Sequence, residues 1–239
     1  MEPQPYPEQH HPSLTAEQIR QEQAAFMTQV YGWMSVALLV TATVSIWVAS
    51  STAMLEFIFG NRIVFYGLLI GEFLMVVSLS AAVQRLSARM ATILFLAYAV
   101  MNGLTLASIF LLYTGGSIAS TFFVTAGTFG AMSAYGYYTK RDLTSLGGFL
   151  LMALIGLIIA SLVNLFWQNE ALYWVSTYAG VLIFVGLTAY DTQKIKEMNS
   201  IGNAGTDEDR KEAIMGALRL YLDFINMFLY LLRLFGRRR

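Results

Sequence analysis

The sequence predicts an all-α polytopic membrane protein in which six transmembrane helices surround a seventh, C-terminal one. Three observations carry that expectation. Hydrophobic residues make up 56% of the 239-residue chain and charged residues only 13%, about half the charge of an ordinary globular domain, roughly 25%. Apolar stretches of about 20 residues, the length that covers a bilayer's hydrocarbon core, alternate with short segments that hold most of the charge. The last stretch, Ala213–Leu234, carries Arg219, Asp223, Asn226, Tyr230 and Arg233 at spacings of four, three, four and three. That spacing puts them on one helical face. A polar stripe facing lipid is costly, so this face turns toward protein or water.

The chain opens on a polar segment, residues 1–27, with all four prolines at Pro3, Pro5, Pro7 and Pro12. It lacks the apolar core of a signal peptide and reads as a flexible tail, with His10 and His11 solvated rather than metal-bound and a short interfacial helix near Glu17–Gln23. Residues 28–239 form the membrane domain. Its spans are expected at Val30–Ser50, Val64–Val83, Met90–Leu112, Ile118–Tyr138, Gly147–Trp167, Ala171–Tyr190 and Ala213–Leu234. None contains proline. Small residues recur at packing spacing, Gly67 and Gly71 in the second span and Ala126, Gly130 and Ala134 in the fourth, where helices can approach closely. Thr206 followed by Asp209 resembles a capping box and starts the last helix near there. Trp33, Trp47, Trp167 and Trp174 fall near span ends as an interfacial belt.

Lysine and arginine set the orientation. Arg85 and Arg89, then Lys140 and Arg141, then Lys194, Lys196, Arg210 and Lys211 fall in loops on one side, and the opposite loops hold only Arg62. The N-terminus is therefore expected in the cytoplasm. The tail Arg237–Arg239 conflicts with a seventh full crossing, and a re-entrant last helix would remove the conflict. The full length of Ala213–Leu234 favours seven crossings.

A net charge of zero excludes a global basic field for nucleic acid. With no cysteine there is no disulfide or thiol chemistry. No zinc-protease or P-loop signature is present, and both histidines lie in the tail, so no enzyme and no cofactor are expected. The chemistry-bearing residues lie within the spans. Asp223 sits about ten residues into its helix, or ~15 Å of rise, near mid-membrane, where an ionisable group is by default a functional candidate. Glu72, at the centre of the second span, either lines a path with Asp223 or is a hydrogen-bonded packing residue. Asn102 and Asn164 read as interhelical glue. Arg219 either pairs with Asp223 or snorkels to the inner surface. On hydropathy alone, Asp191 is a solvated helix end, and Arg85 and Arg89 are positive-inside anchors.

Two stretches add to this reading. Ala189-Tyr190-Asp191-Thr192-Gln193-Lys194-Ile195 and Leu220-Tyr221-Leu222-Asp223-Phe224-Ile225-Asn226 resemble the signature segments of the transmembrane Bax inhibitor motif, or Bax inhibitor-1, family. The second continues through Phe228 to Arg233, and Gly103-Leu104-Thr105-Leu106 adds to the match. The resemblance covers about residues 26–236. It implies a seven-helix bundle with the last helix central. Bacterial members resemble a pH-sensitive calcium leak; eukaryotic members sit in internal membranes and suppress cell death. It further implies that Asp191 and Asp223 form a pH-sensing pair and, counting back from Gly103, that Arg85 is a closed-state latch. The sixth helix would then continue to about Met198, so that Asp191 reaches the pair from a cytoplasmic extension or vestibule.

The leading expectation is a pH-gated, Ca²⁺-permeable leak of a bacterial inner membrane. Close carboxylates share a proton and titrate as a unit. Ca²⁺ prefers ~6–8 oxygen ligands, so Asp191 and Asp223 form a weak, transient site, which suits an ion that must also leave. Asn226, Arg219 and Glu72 are expected along the path. A second expectation is a regulator that binds a membrane-bound AAA protease through the tail; tail deletion would then abolish regulation and spare flux. An intramembrane aspartyl protease is disfavoured, because neither aspartate has the Gly-x-Gly-Asp context.

Overall fold

The structure is a computed structural model that describes residues 15–82, 85–199 and 201–239; the proline-rich segment and both histidines lie outside them. The described chain is helical, and most of its helix starts are marked by a capping side chain. Helix α1 (Ala16–Ala49) opens on a capping box: Thr15 Oγ1 accepts from the Gln18 N–H, and Gln18 Oε1 accepts from the Thr15 N–H. Helix therefore already runs through residues 16–27, where the polar composition suggested a tail with one short helix. Ser51 caps a short α2 (Thr52–Phe59) that has no counterpart among the expected spans. Asn61 Oδ1 accepts from Ile63 N at the start of α3 (Arg62–Ala82), and Ser87 caps α4 (Ala88–Leu106), which runs on into α5 (Ser108–Leu112). The expected last residue of that second span, Val83, is outside the described residues.

Three long helices and α6 complete the chain. After α6 (Gly115–Tyr138), α7 (Thr144–Trp167) ends at Gln168, whose φ of 42° is left-handed. Asn164 Oδ1 accepts from the Asn169 N–H and ties off this turn rather than joining helices. Asn169 in turn caps α8 (Glu170–Met198). This helix does not stop at Tyr190, where apolar character ends, but runs to Met198. Thr206 caps α9 (Asp207–Phe235) by accepting from Asp209 N at 3.2 Å. The Asp209 carboxylate bonds Gly205 N instead of closing the reciprocal half of a capping box.

Among the described residues six stretches are long and apolar enough to cross a membrane: α1, α3, the run Ala88–Leu112, α7, α8 and α9. The fourth expected span corresponds to α6, which has the length, 24 residues, but is filled with glycine, serine and threonine that dilute its apolar character.

The core is built on α9. Burial is nearly continuous along it from Ala213 to Leu232, whereas α3 buries only Leu79 and α7 only Gly147, Leu150 and Leu157. It packs against α8, α1, α6 and α4; α3 instead rests on α4, and α7 on α8. So the ring around α9 is not even: two helices form an outer layer. Contacts at both ends show how far α9 runs. Its first residue, Asp207, accepts from Ala88 N beside the α3–α4 turn. Beyond its last turn, Arg237 O accepts from Thr114 N and Arg239 N donates to Leu112 O at the α5–α6 turn.

Helix seams are set by small residues and buried hydroxyls. A Cβ on Gly136 would collide with the Ala189 carbonyl, so only glycine lets α6 and α8 meet there. Thr41 of α1 bonds the Ala99 carbonyl of α4 at 2.9 Å and the Tyr221 hydroxyl of α9 at 2.7 Å, joining three helices at one point. Ser45 repeats the α1–α4 link on Gly103 O at 2.8 Å. The fully buried Tyr221 ring stands edge-on to Phe95 and Tyr98.

Candidate functional site

The inward stripe of α9 does not meet packed side chains along its whole length. Because α3 leans on α4 and α7 on α8, a cavity of about 1010 Å³ remains between them, with α9 as its back wall. The α9 residues that reach it are Arg219, Leu222, Asp223, Asn226 and Tyr230, a helical i, i+3, i+4, i+7, i+11 series. Helix α8 contributes Asp191 with Tyr190 and Leu187; α3 contributes Glu72, and α4 contributes Tyr98. The extension of α8 to Met198 is what makes Asp191 part of the packed helix instead of its frayed end.

Five polar side chains singled out from the sequence therefore line one cavity: Glu72, Asp191, Arg219, Asp223 and Asn226. The Asp191 and Asp223 carboxyl groups lie within hydrogen-bonding range of each other. Asp223 is 4% exposed, and among the described residues no N–H or O–H donor reaches its Oδ2. A carboxyl–carboxyl contact has no donor of its own, so the Asp191–Asp223 contact is a hydrogen bond only when a proton is held between them. Arg219 Nη1 stands 3.8 Å from Asp191 Oδ1, with about half of its side chain exposed. Glu72 accepts from Thr105 Oγ1 at 2.8 Å. Asn226 Nδ2 donates to the Leu222 carbonyl of its own helix at 2.8 Å.

Arg85 lies elsewhere. It stands exposed on the turn between α3 and α4 and does not line the cavity; Arg89, at the start of α4, is exposed as well. The cation beside Asp191 is Arg219. Among the described residues no group of three or more His, Cys, Asp or Glu side chains is placed to hold a metal ion together.

Sequence reasoning missed the residue that anchors α8 beside Asp191. Gln193 is 7% exposed; its Oε1 accepts from Leu143 N at 2.8 Å and its Nε2 donates to Arg141 O at 2.9 Å. It thus staples the α6–α7 turn to α8 two residues after Asp191. Lys196 adds a second tie, donating to Tyr137 O at 3.0 Å over the Tyr137 ring. The signal was present, since a long amide needs both donor and acceptor satisfied once buried. Thr105 was likewise read only as part of a resemblance, not as the partner of Glu72. Asn102 bonds the Tyr98 hydroxyl at 3.0 Å within α4 and does not bridge helices.

These features define a multi-pass helical membrane protein whose central helix faces an acidic internal cavity. Comparison with known proteins makes that class specific. The profile of the family described as "Inhibitor of apoptosis-promoting Bax1" matches residues 23–239. The chain is 58% identical over 215 residues to the "Inner membrane protein YbhL" of Escherichia coli (strain K12), covering 90% of this chain and 92% of the relative. It is 45% identical over 214 residues to an uncharacterised protein of Borreliella burgdorferi, covering 90% and 92%. With an uncharacterised protein of Deinococcus radiodurans it shares 38% over 226 residues, covering 95% and 96%. The chain belongs to the Bax inhibitor-1 family, as a bacterial YbhL-like member, and is a multi-pass integral protein of the inner membrane.

Proposed function

We propose that this protein is a Ca²⁺-permeable leak gated by pH through Asp191 and Asp223. The observation that carries the reading is the convergence on one cavity of a buried carboxyl whose Oδ2 has no donor among the described residues, a second carboxyl in contact with it, and a cation at its edge. With one proton between them, the aspartates bridge α8 and α9 and the path stands open. Loss of that proton leaves two facing anions, which repel and draw in a positive charge that closes the path. Flux is then higher at pH 6 than at pH 8. Arg219 is the resident counter-charge; Arg85 reaches the pair only if the end of α3 moves inward, which is the latch expected from the family resemblance. Two carboxylates with water give Ca²⁺ a weak site, fit for passage and not retention.

The proposed path needs α6 as a seventh crossing, so that the N-terminus is cytoplasmic and the C-terminus outside. Support comes from its ends: Thr114, before α6, bonds Arg237 beyond the last turn of α9, while Gly136 and Tyr137 contact Ala189 and Lys196 at the far end of α8. Residues 28–239 form the membrane domain in this reading.

Calcium flux into liposomes that hold only the purified protein, measured from pH 6 to 8, tests the function. Flux that rises on acidification supports it; absence of protein-dependent flux at every pH refutes it. Single cysteines at Gly116 and Asn169 test the topology, since cytoplasmic labelling of either would reverse it.

A further inference from the structure

The geometry points to a second occupant for this cavity: an amphiphile with an ammonium head and a hydrocarbon tail, which enters from the bilayer between α3 and α7. The inference rests on the placement of the carboxyls in the proposed ion path and deepens that reading by assigning the path a class of blocker.

The volume, about 1010 Å³, exceeds what a hydrated ion needs and lies at the upper end of small-molecule sites, roughly 300–1,000 Å³. The side wall is open. Phe73 of α3 and Ile158, Leu162 and Leu165 of α7 all line the cavity, yet they are 69%, 51%, 55% and 68% exposed. Residues that line a hollow and face outward mark its mouth, and this mouth is apolar and lies in the flank of the bundle. A hydrocarbon tail rests in it with no desolvation cost.

The inner end selects the head group by charge. Three carboxyls, Glu72, Asp191 and Asp223, line the cavity with a single guanidinium, Arg219, which stands beside Asp191. A proton shared by the aspartates and the Arg219–Asp191 contact still leave Glu72, whose one hydrogen-bond partner among the described residues is the neutral Thr105 hydroxyl. A primary ammonium supplies three donors and the missing charge. An anionic head meets like charge there, and a neutral one leaves Glu72 uncompensated.

The chain has no cysteine, so a Ser161→Cys protein carries one thiol, in the cavity wall. In lipid nanodiscs, its rate of alkylation by N-ethylmaleimide is measured by mass at about pH 7, where an aliphatic amine is charged. Octylamine, octanol and octanoate are compared at equal bilayer content. Octylamine is expected to slow labelling at least tenfold, and octanol and octanoate less than twofold. Adding Glu72→Gln is expected to reduce octylamine protection to the octanol level. Equal slowing by amine and alcohol, or none by either, overturns the proposal on the Ser161→Cys protein alone, whether or not the Glu72 variant folds. Undiminished protection in a folded Glu72→Gln protein also overturns it. The two readings fail separately: amine-selective protection without calcium flux refutes the leak and keeps this site, while flux without selective protection does the reverse.

Discussion

Asp223 and Phe224 are adjacent in sequence and face two different hollows of the same bundle. Asp223 looks into the cavity between α3 and α7. Phe224 forms part of a groove of about 620 Å³ between α1 and α6, which, like α3 and α7, do not pack on each other. The groove is closed at its floor by aromatic contacts: Phe224 stands edge-on to Phe122 and Phe129, with centroids 5.5 and 5.4 Å away. Among the described residues no carboxylate, lysine or arginine lines it, and its polar side chains are the hydroxyls of Thr28, Tyr31, Ser35, Ser133, Tyr137 and Tyr138. One hollow is a gap in packing and the other collects ionisable groups. A helix turns about 100° per residue, so a single α9 serves both, and shape alone does not separate them.

Substitutions on the two faces of α9 should therefore fail in different ways. The largest change in stability is expected on the apolar side. Phe224→Ala removes a nearly fully buried ring from two edge-on contacts, and such losses cost about 3 kcal/mol or more. A lower thermal midpoint in detergent, with the pH response of flux retained in the folded fraction, is the expected result. If the pH response vanished and stability held, the two faces would not be functionally distinct.

Gln193→Ala sharpens the comparison because it is a structural change on the polar side. It strips partners from Leu143 N and Arg141 O and should cost about 1–3 kcal/mol. Faster hydrogen exchange at residues 139–144 is the specific readout. No change in exchange there would mean that the α6–α7 turn is held by other contacts.

Asp223→Asn should reverse the pattern. The amide replaces the protonated carboxyl as a donor to Asp191, so the α8–α9 bridge persists without a removable proton. Thermal stability is expected to change little. The ratio of flux at pH 6 to that at pH 8, expected to be about tenfold in the parent, or ~1.4 kcal/mol, should fall below about twofold. Asp191→Asn should behave alike, and a full pH response in either variant would dissolve the pair.

Much of this layout can be read from the chain. Lipid requires long apolar surfaces, so hydropathy located the apolar part of each long helix but not the polar ends of α1, α8 and α9, which run 14, 8 and 6 residues further, and the spacing from Arg219 to Tyr230 identified the inward face of α9. What escaped depends on tertiary partners. The ridge of Ala126, Gly130 and Ala134 has the spacing of a helix seam, yet it lines the groove, and a Cβ on Gly130 would meet nothing within 4 Å. The close approach occurs at Gly136 instead. Periodicity defines a face but does not say what covers it. Residues 16–27 read as a tail because they are polar, although Thr15 and Gln18 carry a helix-start signal. Which arginine stands beside Asp191 is a matter of three-dimensional placement that loop charge does not encode.

That arginine gives the smallest expected effect and the finest division of the polar hollow. Arg219 is half exposed and 3.8 Å from Asp191, a contact worth no more than about 1 kcal/mol after solvent screening. Arg219→Gln should therefore leave the fold intact. If Arg219 alone supplies the closing charge, the variant should raise flux at pH 8 by a few fold and leave pH 6 flux near the parent level, because the protonated pair has no need of a counter-ion. If Arg85 moves in as a latch, Arg85→Ala should produce that increase and Arg219→Gln little of it. Ionic strength separates the two further: an exposed arginine that must approach from the α3–α4 turn is screened beyond about 8 Å at physiological salt, so closure by Arg85 should weaken as salt rises more than closure by the resident Arg219. Equal flux in parent, Arg219→Gln and Arg85→Ala at pH 8, at both low and high salt, would show that repulsion between the aspartates closes the path without any cation.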